Sequence, residues 1–462
     1  MKTSISALTK NYESMVNKEV LLQGWIRTNR GQKEFGFINF NDGSNVGGLQ
    51  IVYDKALDNF DMVAKLRVGC SLSVTGTVVL SPKAKQPFEI KATKIILEGD
   101  SPENYPIQPK RHSREFLREQ AHLRPRTNLF NAVFRVRSLL AYAIHEFFRK
   151  KEFIYVHTPI ITASDAEGAG EMFQVTTFDL KNIPLTKEGD VDYSKDFFGK
   201  ATNLTVSGQL EAETFAMAFK NVYTFGPTFR SERSNTTRHA SEFWMIEPEM
   251  CFADLSDDMD LIEEMLKYVI NYVLENAQEE LELFNNFVYP GKIDQLKSFV
   301  DSEVVRLEYR EAVKILEAAN KKFDMAPGFG KDLATEHEKY LTDDYFKAPV
   351  FVTNWPKEIK AFYMRLNDDN QTVAAVDLLV PGSGELVGGS QREERLDVLL
   401  ARMEELNIPT VGMEWYLDLR RYGGAYHSGF GLGFERLVMY VTGIENIRDA
   451  VPFARTPNNC EF

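Results

Sequence analysis

Cysteine is scarce in this chain. The three present in 462 residues, Cys70, Cys251 and Cys460, never approach a CxxC spacing. That excludes a disulfide framework and a cysteine-based zinc site, so no zinc is expected, and it fits a reducing compartment. A GxxxxGK[ST] phosphate loop is missing as well, and so is the βαβ alternation of a doubly wound nucleotide-binding sheet. If ATP binds, an antiparallel sheet must bind it. The opening MKTSISALTKNYES has no apolar signal region, and no later run is long enough to span a bilayer. The expectation is a soluble, cytoplasmic protein with no membrane partner. Internal repeats and low-complexity tracts are absent.

What is present suits large cores: 44% hydrophobic residues, with 33 phenylalanines favouring sheet, in a chain long enough for two or three domains. The net charge of −13 is unevenly spread. Residues 1–103 carry 13 Lys and Arg against 11 Asp and Glu, residues 104–126 carry 6 against 2, and the remainder 35 against 54. A mildly basic front on an acidic body is compatible with a local polyanion contact or with an accidental gradient. Between residues 19 and 98, EVLLQGWIRTNR, GFINFNDG, GGLQIVYD, CSLSVTGTVVLS and FEIKATKIILEG read as strands with a helical piece near Leu57–Leu66. Five strands and a helix fit an OB-type barrel over residues 1–103, a fold that often binds single-stranded nucleic acid. The proline-marked, basic segment 104–126 reads as a hinge that is either solvated or touches an RNA backbone.

From Thr127 the spacing predicts a long amphipathic helix, then a strand FIYVHTPIIT. Further strands are expected at NLTVSG, KNVYTFG, FWMIEPEM, APVFVTNW, AFYMRLN and TVAAVDLLV, and helices over DDMDLIEEMLKYVINYVLENAQEELELF and QREERLDVLLARMEEL. Three constellations in residues 127–462 carry chemistry. In FRSERSNTTRHASEF a hairpin sets Arg230 and Phe243 on adjacent strands, with Ser231, Glu232, Arg238 and His239 between them. Arginines grip phosphates bidentately and an aromatic ring stacks on a base. In DLLVPGSGELVGGSQRE, Asp377 and Glu385 offer the oxygen ligands that Mg²⁺ shares with phosphates, glycines admit close approach, and Arg392 suits a carboxylate or amide oxygen. In GFGLGFER, Gly433, Glu435 and Arg436 stand where a strand gives way to a helix, a platform for phosphate or base. Taken singly, the first could be a salt-bridged hairpin, the second a loop ion pair and the third close strand–helix packing.

Together they resemble the three signature motifs of class II aminoacyl-tRNA synthetases. Motif 1 is the helix before FIYVHTPIIT with Pro159, motif 2 is FRSE…RHASEF, and motif 3 is GLGFER. The resemblance runs along the whole chain, and the barrel places it in the subgroup charging aspartate, asparagine and lysine. VSGQLEAETFA, TFGPTFRSERSNTTRHASEFWMIEPE, GGSQREERLD and RRYGGAYHSGFGLGFERL resemble the bacterial asparaginyl-tRNA synthetases. The resemblance implies an α+β protein: an OB-type anticodon-binding barrel (1–103), a hinge (104–126), and a catalytic domain (127–462) on an antiparallel sheet flanked by helices, with an insertion at about 178–203. It implies a homodimer that uses ATP with Mg²⁺, L-asparagine and tRNA(Asn).

Site roles follow from the same resemblance. Arg230 would hold the α-phosphate, Arg238 and His239 the outer phosphates, and Phe243 and Arg436 the two adenine faces. Glu385 and Asp377 would hold Mg²⁺, the latter set one residue farther away than in aspartate enzymes. Glu167 would meet the substrate ammonium. Ser207, Gln209, Glu211, Glu213, Gly388 and Arg392 would form the amino-acid pocket. Where aspartate enzymes carry a lysine and a glutamine, this chain has Ala212 and Glu213. Glu213 is therefore expected to accept from the substrate amide and to repel a carboxylate. Phe37 and Gln50, with Arg27 and Phe35 as weaker candidates, would read the anticodon, Phe37 having a barrel-core position as its alternative. An aspartate enzyme, an ammonia-dependent asparagine synthetase and a non-catalytic paralogue are the competing readings. Ala212 with Glu213, the barrel, and the presence of Arg230, Glu385 and Arg436 speak against them in turn.

Overall fold

The computed structural model describes residues 1–82, 86–164, 172–234 and 236–462. The chain forms two compact units, residues 1–136 with 277–287 and 462, and residues 137–276 with 288–461. In the first, β1 (Glu19–Gly31), β2 (Phe35–Asn41), β3 (Leu49–Asp54), β4 (Ser71–Leu80) and β5 (Phe88–Gly99) close a barrel in the order β1-β2-β3-β5-β4. Alternation drives it: Val20, Leu22, Ile26, Ile38, Phe40, Ile51, Val74 and Ile90 point inward and are buried. The helix Ile5–Met15, capped by Ser4, adds Ile5 and Leu8 to this core.

The second unit is built on an eight-stranded sheet. Its strands are β6 (Ile154–Tyr155), β10 (Asn221–Phe229), β11 (Glu242–Cys251), β12 (Val305–Glu308), β13 (Val350–Pro356), β14 (Thr372–Val380), β15 (Gly384–Gln391) and β16 (His427–Gly433), and β7 (Ile161–Thr162), β8 (Gln174–Val175) and β9 (Thr202–Leu204) make a small separate sheet. The large sheet has the order β12-β13-β14-β15-β16-β11-β10-β6; its two edge pairs are parallel and the interior pairs antiparallel. The helix Leu255–Asn276 buries Ile262, Met265, Leu266, Val269 and Ile270. This is the α+β architecture expected.

Several local expectations change. FIYVHTPIIT is two short strands, because Pro159 has no N–H to donate; Ile154 pairs with Val222 and Ile161 with Leu204. The long helix ending in QEELELF breaks at Ala277 into Leu255–Asn276 and Gln278–Phe287. Their apolar stripes serve different units. AFYMRLN forms only the isolated bridges Met364–Arg392 and Leu366–Val373, since the Leu366 N–H is taken by the Glu393 carboxylate at 2.9 Å. The glycine-rich stretch 384–391, not among the expected strands, is a central strand.

Candidate active site

The middle of the large sheet is nearly bare of side chains. Gly388 pairs with Gly431, and Gly433 with Met245. A Cβ at Gly431 would lie 2.8 Å from the Met245 methyl, so glycine there keeps the floor open. Above it is a cavity of about 360 Å³. Its lining brings together Arg230, Glu232, Arg238, His239, Phe243, Asp377, Glu385, Gly388, Arg392, Gly433, Glu435 and Arg436 from the three constellations, with Ser207 and Gln209.

The hairpin register explains the first group. Thr228 opposes Phe243, and the Arg230 N–H donates to Ser241 O at 3.0 Å. The Arg230 guanidinium then lies 5.5 Å from the centre of the Phe243 ring. Arg238 reaches across to donate to Ser383 O, and His239 is braced by Thr236. Arg436, in the first turn of the helix Phe434–Thr442, donates to Glu385 Oε2 at 3.1 Å. Glu435 faces the cavity but is engaged on both oxygens. It accepts from Trp244 N at 2.9 Å and pairs with Arg137 at 2.7 Å, so it ties strand to helices.

Asp377 and Glu385 converge. A Cβ on Gly388 would stand 3.3 Å from Asp377 Oδ1 and 3.5 Å from Glu385 Oε1. Lys360 donates to the other Asp377 oxygen at 2.7 Å. Burial still pushes the Asp377 carboxyl up to about 6, with the Glu385 charge adding to this against Lys360. A third carboxylate, Glu338, accepts from Glu385 N at 3.2 Å. Burial, then the Glu385 charge, pushes it up to about 7. Lys360, Arg436 and Arg238 are the cations that face these three carboxylates. Among the described residues no three histidine, cysteine or carboxylate side chains converge as a metal cluster. Two hard oxygen donors facing an open cavity fit Mg²⁺ of the kind that takes its other ligands from phosphates and water.

Behind the opposite end lies a buried charge network. Glu213 is fully buried and absent from the cavity wall. It accepts from Tyr416 OH at 3.0 Å, Arg420 Nη2 at 3.0 Å, Gln209 Nε2 at 3.2 Å and His427 Nε2 at 2.8 Å. Burial pushes its carboxyl up, but Arg420 and the His427 hydrogen bond outweigh this and hold it at about 2. Arg392 forks onto Glu249, with Nε 3.2 Å from Oε2, and its Nη1 donates to Ser390 Oγ at 2.8 Å. Two of the buried carboxylates at this end, Glu213 and Glu249, are therefore paired with Arg420 and Arg392.

Residues 113–457 match the family model described as tRNA synthetases class II (D, K and N), and residues 20–98 the OB-fold nucleic acid binding domain. The asparagine–tRNA ligase of Acholeplasma laidlawii is 62% identical over 463 residues, covering 100% of each chain. That of Clostridium tetani is 61% identical over 461 residues, again covering 100% of each. The chain belongs to the asparaginyl-tRNA synthetase family. Among solved structures, asparaginyl-tRNA synthetase from Pyrococcus horikoshii complexed with asparaginyl-adenylate matches at TM-score 0.86 and 33% identity, with 100% of both chains covered.

Seen as a member of this family, the chain shows some differences from the sequence reading. Glu213, expected to face the substrate directly, is spent on protein donors. Glu211 and Ser231 also lie off the cavity wall, and burial raises the Glu211 carboxyl. Glu167 falls within residues 165–171, outside the described residues. Glu247, Lys360 and Tyr363 line the cavity, and Arg420, Tyr416 and His427 stand behind it. No sequence signal singled these out. They lie on segments far apart in the chain, although RRYGGAYH was part of the family match.

On the barrel, Phe35 and Phe37 point outward in edge-to-face contact, 5.4 Å between ring centres. Phe37 is therefore not a core residue. Gln50 lies on the same outer face, its Nε2 donating to Glu89 at 2.8 Å. Across the strands Gln50 pairs with Asn39, and Asn39 with Thr28, next to Arg27. Among the described residues no helix is long and apolar enough to cross a membrane.

Proposed function

We propose that this chain activates L-asparagine with ATP and transfers it to the 3′ end of tRNA(Asn). The observation that carries the proposal is the single cavity on the antiparallel sheet holding Arg230, Arg238, His239, Phe243, Glu385 and Arg436. A substrate carboxylate oxygen attacks the α-phosphorus, forming asparaginyl-adenylate as the bond to pyrophosphate breaks. A ribose hydroxyl of the terminal nucleotide then attacks the acyl carbon; AMP leaves and the hydroxyl proton is lost. Neither step needs a protein nucleophile. Positioning and charge stabilisation are what the site supplies.

In this reading Arg230 steadies the α-phosphate, and Arg238 and His239 meet the outer phosphates. Phe243 stacks on adenine, with Arg436 over its other face. Asp377 and Glu385 would hold Mg²⁺, which when bound neutralises phosphate charge. Glu167, Ser207 and Gln209 belong to the amino-acid end.

Charge balance supports asparagine. Arg392 already holds Glu249, and Glu213 already holds Arg420. A carboxylate substrate finds little unspent positive charge, while the remaining N–H groups of Arg392 suit a neutral amide oxygen. Ala212 supplies no added cation. Pyrophosphate exchange and tRNA charging with asparagine and aspartate in parallel test the proposal. Equal or faster exchange with aspartate rejects it.

Residues 1–103 would bind the anticodon, with Phe37 stacking and Gln50 reading a base edge. A homodimer is part of the proposal: the edge strand β6 leaves Ile154 and Tyr155 exposed, and sedimentation velocity tests it.

A further inference from the structure

In the second unit one cation lies buried outside the cavity wall. Lys292 is 3% exposed, and among the described residues it has no carboxylate partner. Its ammonium donates to Gln295 Oε1 at 2.6 Å and to Tyr440 O at 2.9 Å. The rings of Tyr289 and Tyr440 flank it, with their centres 4.3 Å and 5.2 Å from Nζ. Burial pushes the ammonium down to about 8 from 10.5, with no counter-charge to oppose it. A lysine is rarely held so deep without a paired acid.

The bonds it makes connect two parts of the active site. Tyr440 O is one of the free carbonyls in the last turn of the helix Phe434–Thr442, the negative end of that helix's dipole. The same helix begins with Glu435 and Arg436 at the cavity. With its oxygen taken by Lys292, Gln295 turns its amide nitrogen away, and Nε2 donates to Pro381 O at 2.8 Å. Pro381 opens the turn that joins β14, which carries Asp377, to β15, which carries Glu385. Gly382 N in this turn donates to Asp343 Oδ1 at 2.9 Å, and the Ser383 carbonyl accepts from Arg238. Three hydrogen bonds thus run from the far end of the helix to the turn on which Arg238 rests. Glycine closes the joint at both ends. At Gly443, with φ +73°, a Cβ would fall 2.5 Å from Tyr289 Cβ and 3.2 Å from Lys292 Cε. At Gly382, with φ +75°, it would stand 3.0 Å from Gln295 Nε2.

We propose that Lys292 is a positioning residue for the outer-phosphate end of the site: through Gln295 it pins the 381–384 turn to the end of the helix Phe434–Thr442, and the pinned turn sets where Arg238 stands. The proposal rests on the ATP reading above. It concerns only the phosphates that Arg238 would meet, which ATP and pyrophosphate have and AMP lacks.

The test uses the full-length protein and compares ATP with AMP. Gln295→Glu separates the tether from the packing, because a carboxylate still accepts from Lys292 but has no N–H for Pro381 O. In asparagine-dependent exchange the KM values for ATP and pyrophosphate should rise about two- to tenfold, the scale of one lost hydrogen bond. The AMP inhibition constant and the asparagine KM should stay at the parental values. Lys292→Met should give the same split between ATP and AMP, together with a lower melting temperature. Arg238→Gln separates the two readings. If Arg238→Gln raises the ATP KM and Gln295→Glu leaves it at the parental value, Lys292 does not position the turn. If neither substitution changes the ATP KM, the outer phosphates do not lie at this end and both readings fail. If Gln295→Glu weakens ATP and AMP alike, the tether only supports the fold and the proposal is overturned.

Discussion

Replacing Arg420 with methionine probes the buried network most directly. The side chains of Arg420 and Glu213 are 1% and 0% exposed. The substitution removes the 3.0 Å bond to Glu213, the 2.9 Å bond to the Tyr416 hydroxyl and the 2.9 Å bond to Glu393 O. It also removes a guanidinium stacked 4.1 Å from the Tyr416 ring centre. Removing one partner of a buried pair costs about 3–5 kcal/mol because the other charge stays buried. The Glu213 carboxyl responds to the same partners. Against burial, Arg420, then His427 and Arg392, hold it at about 2, below an ordinary 4.5, which points in the same direction. The sign is that of a depressed acid: the stabilisation is complete above about 4.5 and disappears as pH falls toward 2. Arg420→Met should therefore lower the melting temperature by roughly 6–20 °C at pH 7, at 2–4 °C per kcal/mol for a large domain. Glu213→Gln alone should be similarly harmful. The double variant should fall short of the summed losses by at least about 2 kcal/mol, as residues sharing one network do. Melting curves for the cycle decide it; additivity of the two losses would falsify the pairing. The asparagine KM should rise in both single variants, since Gln209 at the cavity wall donates to Glu213.

Three further outcomes are expected. Arg230→Gln should cut the exchange rate by about 10²–10³-fold, the cost of losing a preorganised stabiliser of developing charge, and should leave the melting temperature within about 1 °C; an unchanged rate refutes the role. Phe243→Leu should raise the ATP KM roughly tenfold, the low end of a lost base stack, with the asparagine KM little changed. Glu338, pushed up to about 7 from 4.5, favours the fold fully below about 4.5 and loses that contribution as pH rises through 7. Glu338→Gln should remove this portion of the pH dependence of melting, and a variant that melts in parallel with the parent from pH 4.5 to 8 refutes it.

Much was legible locally. The alternation in EVLLQGWIRTNR gave a strand with one buried face, and the apolar run TVAAVDLLV gave one buried along its whole length. The segment 384–391 escaped that reading because its glycines carry no periodic side chains, and only the neighbouring strands reveal it as sheet. The break at Ala277 escaped because both helices have a helical period but face different cores.

The sequence alone determined the nature of the chemistry. Arginines, an aromatic and paired carboxylates, set in three recognisable stretches, belong to one family, and local spacing suffices to show it. It determined the barrel as well. Tertiary structure decided which charges remain available. Glu213 looked free to meet a substrate, but the fold delivers Arg420, Tyr416 and His427 to it from about 200 residues away. Burial requires such partners, because an ionised carboxylate taken from water without them would lose several kcal/mol of solvation, and partners so distant in sequence leave no periodic trace.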